Sequence, residues 1–437
     1  MRWLGIIIFF LLPFNIKKYV GLLALGLQNY SLEFFNLFLY FTELLVLVFV
    51  VSVFFYKRKE FIALCKENWL FFVFFLTTLV SVSIADNAIL ALISAGHIFV
   101  GVLFMCGVGV LIRDHVISVR DIIKAIAVSG IIQVEIALLQ FLNQKSLGLH
   151  LLGEEMVNGF TRNVAKINIF EMIFLRPYGT VAHPNILGGI LVVSFFAWVY
   201  LFVAPSKRHG VLHRSISLIG LFLVSLGVAV SFSRSAWFAL FFLIFLCLVF
   251  LFAKKHFRHA ARELLMFNLF IGFTILGIFG WAIIPRSAVD VRDTAVNERA
   301  IYSNIAYSLI TKYPFGVGAG NSVLRAEQED MYSVRGLSGV TTHQPVHNIF
   351  LLLAEEVGVL GCLIFLISII KTIIERRKNM VFLDYFFPFL FILVFFVTGL
   401  FDHYALTSNV GRLMFFGVLG IMGGLPKKLP KKHDIYT

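Results

Sequence analysis

Residues 185–204, NILGGILVVSFFAWVYLFVA, contain no charged side chain, and neither do residues 235–252, SAWFALFFLIFLCLVFLF. A helix needs about 20 consecutive apolar residues to cross the hydrocarbon core of a bilayer. Both stretches are close to that length, so each is predicted to be a membrane-spanning helix. Similar runs recur from the first residues to about residue 424 and leave no segment for an independent soluble domain. The sequence therefore predicts one membrane domain over residues 1–437.

The composition of the whole chain agrees with this prediction. Of 437 residues, 59% are hydrophobic, only 14% are charged and 50 are phenylalanine, whereas soluble domains are about 25% charged. The formal net charge is +13, but the Lys and Arg residues gather in short loops between the apolar runs, as in membrane proteins that follow the positive-inside rule. A nucleic-acid-binding protein would instead carry a basic face on a soluble surface. Nucleic acid is therefore excluded as a partner.

Twelve apolar runs are predicted to be transmembrane helices. They lie near residues 3–28, 31–56, 69–85, 88–112, 121–142, 185–204, 213–232, 235–252, 265–284, 348–370, 381–401 and 409–424. The first run is broken by Lys17 and Lys18, and its alternative is one short helix followed by an interfacial one. With twelve crossings the basic loops, such as residues 57–59 and 376–378, all fall on one side of the membrane. Basic loops mark the cytoplasmic side. Both termini, including a basic tail at residues 425–437, are therefore predicted to be cytoplasmic.

Two long loops, about residues 143–184 and 285–347, are predicted to lie on the opposite, outer side. Loops of this length are uncommon in compact proteins and often carry function. The second loop contains six basic and six acidic residues, so it is not a basic anchor and its charges are available for other roles. We therefore expect the functional residues in these loops and at the adjacent helix ends.

Arg234 lies between two apolar runs that are joined by almost no polar loop. Placing an Arg in hydrocarbon costs about 2.5–3.5 kcal/mol on insertion scales, so an Arg in so tight a hairpin usually faces an aqueous cavity or an anionic group. The alternative is an Arg that extends to the lipid headgroups. The neighbouring Ser233 and Ser235 favour a polar pocket, because each hydroxyl can donate a hydrogen bond to a phosphate oxygen.

Arg299 lies in a predicted amphipathic helix of the second outer loop. Its apolar stripe consists of Ile301, Ile305 and Leu309. Arg299 precedes Ile301 by two residues, about 200° around the helix axis, and so points away from the stripe. If the stripe packs on the membrane domain, Arg299 faces a cavity. The alternative is a solvated Arg paired with a neighbour such as Glu298.

His347 and Asn348 end the second outer loop, directly before an apolar run. A neutral imidazole at this place can accept a proton from a hydroxyl group. Asn348 and Glu355 lie two helical turns apart on one face, and we expect them to orient the imidazole. Glu355 favours a functional role, because a carboxylate inside an apolar run is costly in a membrane. His343 competes for the same role, and a His at a helix start can also be a simple cap.

Polar residues also precede two other predicted spans. His183 and Asn185 follow a turn rich in Pro and Gly, and the last outer loop contains Asp402, His403 and Asn409. Pro and Gly fix the conformation of a turn, so His183 and Asn185 are predicted to be held at the outer rim. A purely structural role for these residues is the alternative.

No cofactor or metal site is predicted. The glycine-rich residues 314–321 lack the third glycine spacing and the strand–helix surroundings of a dinucleotide site, and they are predicted to form a tight turn. The acidic residues 327–330 are contiguous, which is typical of a solvated surface, whereas hard cations need convergent oxygen ligands. The four cysteines are widely spaced and form no metal or disulfide framework.

Three motifs resemble the O-antigen ligase and polymerase-like membrane glycosyltransferases, the WaaL/Wzy superfamily. They are Ser-Arg-Ser-Ala-Trp at residues 233–237, Tyr-Pro-Phe-Gly-Val-Gly at residues 313–318, and His347-Asn348 leading into a span with Glu355 or Glu356 before Gly358. His183-Pro184-Asn185 before a glycine-rich span is also similar to the family. The order, spacing and side of the motifs agree across residues 180–365.

The resemblance implies an all-α, GT-C-type fold with about 12 transmembrane helices and a large helical periplasmic loop. It implies metal-independent, inverting transfer of a glycan from undecaprenyl diphosphate to an acceptor hydroxyl, at the outer face of the bacterial cytoplasmic (inner) membrane. By motif position, Arg234 and Arg299 would hold the diphosphate, with Arg292 as an alternative to Arg299. His347 would position or deprotonate the acceptor. Two guanidinium groups would offset the roughly two negative charges that develop on the leaving diphosphate.

The acceptor would differ among members of the superfamily. It would be lipid A core for a ligase, which is our first expectation, a growing polysaccharide for a polymerase, or a protein hydroxyl for an O-oligosaccharyltransferase. The alternative from another class is a flippase or transporter of a lipid-linked sugar. Transporters place their sites near the middle of the membrane, whereas the polar residues of this chain gather at one rim. That distribution favours an enzyme.

Overall fold

The computed structural model describes residues 1–22, 36–161, 164–204, 210–288, 294–337, 343–376 and 382–426. This part of the chain is mostly helical, and its four strands form two antiparallel hairpins, β1–β2 and β3–β4. The helices are α1 Arg2–Leu11, α2 Phe41–Tyr56, α3 Arg58–Glu67, α4 Trp69–Val80, α5 Ala88–Arg113, α6 Val119–Asn143, α7 Pro184–Val203, α8 Gly210–Val230, α9 Arg234–Ala253, α10 Arg258–Ser287, α11 Thr294–Lys312, α12 Ser322–Gln328, α13 Ile349–Arg376, α14 Phe382–Gly399, α15 Tyr404–Thr407 and α16 Asn409–Gly424. The strands are β1 Lys17–Leu22, β2 Asn36–Tyr40, β3 Lys166–Ile169 and β4 Met172–Leu175.

Eight helices of the described residues are long and apolar enough to cross a membrane. They are α5 to α9, α10 with the turn before it, α13 and α14. The pair α3–α4 adds a ninth if its two helices, bent by 74°, form one broken span, while α1, α2 and α16 are apolar but shorter. The chain is thus a helical, multi-pass membrane protein, as the sequence predicts. The count of twelve crossings and the GT-C class stay predictions.

The prediction of a span over residues 3–28 is wrong. Helix α1 ends at Leu11, and β1 follows and pairs with β2. Pro13 cannot donate the backbone hydrogen bond that a continuing helix would need. Lys17 forms a 2.6 Å ion pair with Glu155 of the first long loop, which keeps its charge at the end of the helix bundle. Residues 23–35 lie outside the described residues.

Helix α7 lies at the centre of the bundle, where all of its residues are buried. It packs against α6, α8, α9 and α14. Gly189 permits close packing, since a Cβ atom on it would lie 1.7 Å from the Tyr404 hydroxyl. The start of α7 is therefore fixed in the middle of one end of the bundle. We call this end, at which α7, α9 and α13 begin, the site end.

The second long loop has an apolar core of its own at the site end. Ile305 and Leu309 of α11 are 3% and 1% exposed, and they pack with residues of α12, with Leu90 of α5 and with Leu352 of α13. The predicted stripe is therefore buried, and it attaches α11 to the start of two long helices. This packing fixes α11 over the site end.

The glycine-rich residues 314–321 form a turn that packs against a kink in α13. Gly358 makes the kink, with a φ of 83° and a ψ of 163°. The carbonyl oxygens of Glu355 and Glu356 accept hydrogen bonds from N–H groups of the turn, both at 2.9 Å. Two segments that resemble the family in sequence thus form one structural unit.

Candidate active site

His347 lies directly before α13 at the site end. Its Nε2 atom is 3.2 Å from Oε1 of Gln344, and because a carboxamide oxygen only accepts hydrogen bonds, Nε2 carries the proton. Nδ1 then holds the lone pair. The ring as a whole is half-buried, but Nδ1 is buried and has no hydrogen-bond partner among the described residues. His347 thus offers an unused basic nitrogen.

The segment between α14 and α15 brings Asp402 and His403 to His347. One nitrogen from each imidazole and one oxygen of Asp402 all lie within 4.8 Å of one another. The centroids of the two imidazole rings are 5.1 Å apart. Nδ1 of His403 donates to Thr407 Oγ1 at 2.7 Å, since the Thr407 hydroxyl donates its own proton to the His403 carbonyl at 3.1 Å. The three side chains form one compact cluster, which we call the imidazole cluster.

The imidazole cluster is held in its neutral, basic form. Burial lowers the pKa of His347 to about 3. The charge of Asp402 acts to raise this pKa, whereas His403 and Arg299 lower it further. Burial also lowers the pKa of His183 to about 3 and shifts the pKa of His403 downward. The neighbouring imidazoles hold the pKa of Asp402 below its usual value, although burial alone would raise it. At neutral pH the cluster therefore combines neutral bases with one carboxylate.

Positive charge reaches the imidazole cluster from two segments, the loop before α7 and helix α11. Arg176 precedes α7 and is only 5% exposed. Burial and the charges of Arg286 and Arg299 lower the pKa of Arg176 to about 9. Arg299, on α11, also acts on His347 and His403. A group of guanidinium ions of which one is buried and two are half-buried attracts an anion.

Arg234 is the first residue of α9 and is half-buried. The hydroxyl of Ser233 caps the helix by accepting from the Ala236 N–H at 3.4 Å, and it shares a 3.1 Å hydrogen bond with the hydroxyl of Ser235. The serines thus shape the turn. The start of a helix favours negative charge through its free N–H groups and its dipole. The turn before α9 is linked to the imidazole cluster through Arg176. Nε of Arg176 donates to the Ser231 carbonyl at 3.0 Å, and the charge of Arg176 also acts on Asp402.

The two remaining predicted residues near α7 also lie at the cluster. The side chain of Asn185 donates to Asp402 Oδ2 at 2.8 Å. His183 caps α7, since its Nδ1 accepts from the Asn185 N–H at 3.1 Å. The structure therefore brings His183, Asn185, Arg299, His347 and Asp402 together.

The expectation that Asn348 and Glu355 orient His347 is wrong. Asn348 Oδ1 accepts from the N–H groups of Phe350 and Leu351, and Asn348 Nδ2 donates to the Leu400 carbonyl at 3.2 Å. Its side chain is therefore used to cap α13. Glu355 is 2% exposed and lies two turns further along α13, beside the kink. Asn348 and Glu355 were expected to reach His347 because they share a helix face. His347 precedes α13, so the periodicity of the helix does not determine where its side chain lies.

Two alternatives from the sequence have different outcomes. His343 stacks on Tyr332 with ring centroids 4.3 Å apart, and its Nδ1 is 3.4 Å from Glu327. It belongs to the core of the long loop and lies outside the imidazole cluster. Arg292 falls within residues 289–293, outside the described residues.

Arg176 and Gln344 are not among the site residues that the sequence predicts. Arg176 is separated from its carbonyl acceptor by 55 residues, and the cluster joins segments more than 200 residues apart, such as Asn185 and Asp402. Neither residue belongs to a chemical motif. An Arg beside Pro177 in an otherwise apolar, turn-forming stretch is the one feature that could have drawn notice.

One group among the described residues has the spacing of a metal site, and it is the imidazole cluster itself. Two imidazoles and a carboxylate are suitable ligands for zinc. A divalent cation there would, however, lie among the positive charges of Arg176 and Arg299 with a single carboxylate to offset it. The electrostatic surroundings therefore suit a negatively charged ligand better.

Residues 219–366, which extend from α8 to α13, match the family model described as Wzy_C: O-Antigen ligase. The matched region contains Arg234, Arg299 and His347, whereas Asn185 and Asp402 lie outside it. A search of curated proteins gave no match. The match confirms the resemblance that the sequence motifs indicate. Residues 219–366 are therefore similar to the O-antigen ligase family, the family that the sequence motifs resemble.

Proposed function

We propose that this protein transfers a glycan from undecaprenyl diphosphate to a hydroxyl of lipid A core, as an O-antigen ligase does. The observation that carries the proposal is the Nδ1 atom of a neutral His347, which is buried without a hydrogen-bond partner among the described residues, lies beside Asp402 and is close enough to Arg299 to feel its charge. The site end then faces the periplasm, because the basic loops gather at the other end of the predicted spans. The proposed location is the cytoplasmic membrane of a bacterium.

The proposed reaction is a direct displacement at the anomeric carbon. The acceptor oxygen forms a bond to C1 of the donor sugar as the bond from C1 to the diphosphate oxygen breaks, and undecaprenyl diphosphate leaves with the bonding electrons. The acceptor proton passes to Nδ1 of His347. Attack opposite the leaving group inverts the configuration at C1. The carboxylate of Asp402 stabilises the imidazolium that forms, as carboxylates do in catalytic triads.

Arg234 and Arg299 hold the diphosphate in this proposal. Two guanidinium groups can offset the charge that develops on the leaving group, and Arg176 and Arg286 add to the positive field of the site. The reaction is therefore proposed to proceed without a metal ion. Ser233 and Ser235 contribute by fixing the turn from which Arg234 projects.

Substitution of Arg234 by alanine is expected to raise the KM for the lipid donor by about 10–100-fold, because a charge-assisted hydrogen bond contributes about 1.5–3 kcal/mol. Lysine should restore the charge but not the paired hydrogen bonds of a guanidinium, and so should recover only part of the loss. Initial rates at varied donor concentration measure both effects. Arg214→Ala is the control, since Arg214 is at the other end of α8 and pairs with Glu263. An unchanged donor KM in Arg234→Ala would refute the assignment.

The acid limb of the pH profile reports on the proposed base. The base form of His347 is present above its pKa, which burial lowers to about 3. The value of kcat/KM is therefore expected to stay constant from about pH 7.5 to about pH 5.5, because the free enzyme gains no proton at His347 in this range. A loss centred near pH 6.5, the ordinary value for an imidazole, would contradict the assignment of His347 as the buried base.

The identity of the product tests the proposed function. Purified protein is incubated with a defined undecaprenyl-diphosphate glycan as the donor. The acceptor is lipid A core, a second lipid-linked glycan or a peptide. Each reaction is run with and without a chelator. Glycosylated lipid A core that forms equally with the chelator is the expected product. A longer lipid-linked glycan would indicate a polymerase and a glycopeptide an oligosaccharyltransferase. Translocation in vesicles without a new bond would indicate a flippase, and inhibition by the chelator would refute metal independence.

A further inference from the structure

Three consecutive buried hydrogen bonds join the turn before α9 to the imidazole cluster. Arg176 Nε donates to the Ser231 carbonyl at 3.0 Å, and Arg176 Nη2 donates to Asn185 Oδ1 at 2.8 Å. Asn185 Nδ2 in turn donates to Asp402 Oδ2 at 2.8 Å. The bonds connect the first long loop, the turn that carries Arg234 and the segment between α14 and α15. The catalytic steps proposed above give Asn185 no role and give Arg176 only a share in the positive field of the site.

We propose that Arg176 and Asn185 are positioning residues that hold the carboxylate of Asp402 in place beside His347 and tie it to the donor-binding turn. This inference rests on the proposed function of the site. Both oxygens of Asp402 are then fixed, because Oδ1 accepts from the His403 N–H at 2.8 Å while Oδ2 accepts from Asn185. A carboxylate held at both oxygens cannot rotate away from the imidazole that it serves.

Arg176 determines which end of the Asn185 carboxamide faces Asp402. A guanidinium group only donates hydrogen bonds, so it selects the carboxamide oxygen and leaves the NH₂ group to face the carboxylate. Without Arg176 the carboxamide could rotate by 180°, which would bring its oxygen against the carboxylate oxygen and lose the hydrogen bond. The guanidinium of Arg176 also places a positive charge near the carboxylate of Asp402, with only the Asn185 side chain between them. This positive charge offsets part of the cost of burying the carboxylate.

The packing around the start of α7 makes this arrangement rigid. A Cβ atom on Gly188 would lie 3.0 Å from the Ser231 hydroxyl, and one on Gly189 would lie 1.7 Å from the Tyr404 hydroxyl. The start of α7 therefore packs tightly between the turn before α9, which contains Ser231, and helix α15, which begins at Tyr404. The three hydrogen bonds span a gap of fixed width.

The first test separates catalysis from donor binding. Asn185→Ala is expected to lower kcat by about 10–100-fold, in line with the loss of support for a catalytic group, while the donor KM stays within about threefold. Asn321→Ala is the matched control: Asn321 is also fully buried, lies in the other long loop and makes hydrogen bonds with Asn87 and Ala319. It should lower the melting temperature with kcat within about twofold. Equal losses of kcat in both variants would overturn the proposal.

The second test exchanges the two side chains. In the double variant Asn185→Asp/Asp402→Asn, Arg176 still donates to position 185, and a donor–acceptor pair still joins positions 185 and 402. A melting temperature near that of the unmodified protein is therefore expected, with kcat as low as in Asp402→Asn alone. Recovery of kcat in the double variant would show that the network serves only the fold, and would overturn the proposal.

Arg176→Lys completes the series. An ammonium group cannot donate two hydrogen bonds in the fixed geometry of a guanidinium, so kcat should fall with little change in donor KM, as in Asn185→Ala. A kcat equal to that of the unmodified protein would argue against a positioning role for Arg176. These outcomes are distinct from failure of the proposed function, in which the unmodified protein itself would form no glycosylated acceptor.

Discussion

Replacement of His347 by alanine is expected to lower kcat for glycan transfer by about 10²–10⁴-fold, the usual contribution of a general base. The substitution removes the Nδ1 atom that would receive the acceptor proton. Among the described residues, no other imidazole nitrogen of the cluster is buried without a hydrogen-bond partner. Binding of the lipid donor should change little, because the arginines that hold the diphosphate remain. Single-turnover transfer and donor binding, measured on the same preparation, give the two quantities separately.

His343→Ala is the matched control for this substitution. His343 lies four residues earlier in the same loop and is also buried, but it stacks on Tyr332 in the loop core. Its loss should reduce thermal stability and leave kcat within a few-fold. A His347→Ala protein with undiminished transfer, or a His343→Ala protein with the larger loss of kcat, would remove His347 from the role of base.

Gly358→Ala is expected to disrupt the packing of the large loop on α13. The backbone of Gly358, with a φ of 83° and a ψ of 163°, lies in a region that is almost restricted to glycine and costs other residues about 1–3 kcal/mol. An added Cβ would also lie 2.6 Å from the carbonyl carbon of Phe315. Since this contact is with backbone, the turn at residues 314–321 would have to move. We expect a large decrease in melting temperature and loss of transfer.

Gly272→Ala provides the comparison within another apolar helix, α10. Gly272 is helical, and a Cβ on it would meet nothing within 4 Å, so alanine should be neutral or slightly stabilising because it favours the helix. Thermal unfolding in detergent, followed by intrinsic fluorescence, compares the two variants. If Gly358→Ala melts at the same temperature as Gly272→Ala, the kink is not needed to hold the loop.

Long-range contacts explain which parts of the site the sequence could not predict. Arg234 and His347 were visible because each interrupts or borders an apolar run, where a polar group is costly. The same reasoning misplaced Glu355 and Asn348 as partners of His347, because helix periodicity describes one helix and not the loop before it. Arg176 was not among the predicted site residues, since its role depends on Ser231 and on the other segments that it contacts.

The structure of the N-terminal region also depends on a partner that is remote in sequence. The apolar run over residues 3–28 has the length of a span although Lys17 and Lys18 break it, but the ion pair between Lys17 and Glu155 holds β1 at the end of the bundle. Glu155 is 138 residues away in the chain. A window of 20 residues contains no information about such a partner.

The sequence by itself determined that this is a helical, multi-pass membrane protein and placed eight of its helices within about three residues of their observed bounds, because the cost of exposing polar groups to lipid acts locally along the chain. Its motifs also indicated the resemblance to the O-antigen ligase family, whose model matches residues 219–366. Only the tertiary structure decided that Asp402 and His403 meet His347, that Asn185 binds Asp402, that Asn348 caps a helix, and that the glycine-rich turn packs against Gly358. The physical reason is that hydrogen bonds and buried charges depend on distances between side chains, and these distances are set by packing among helices that are remote in sequence.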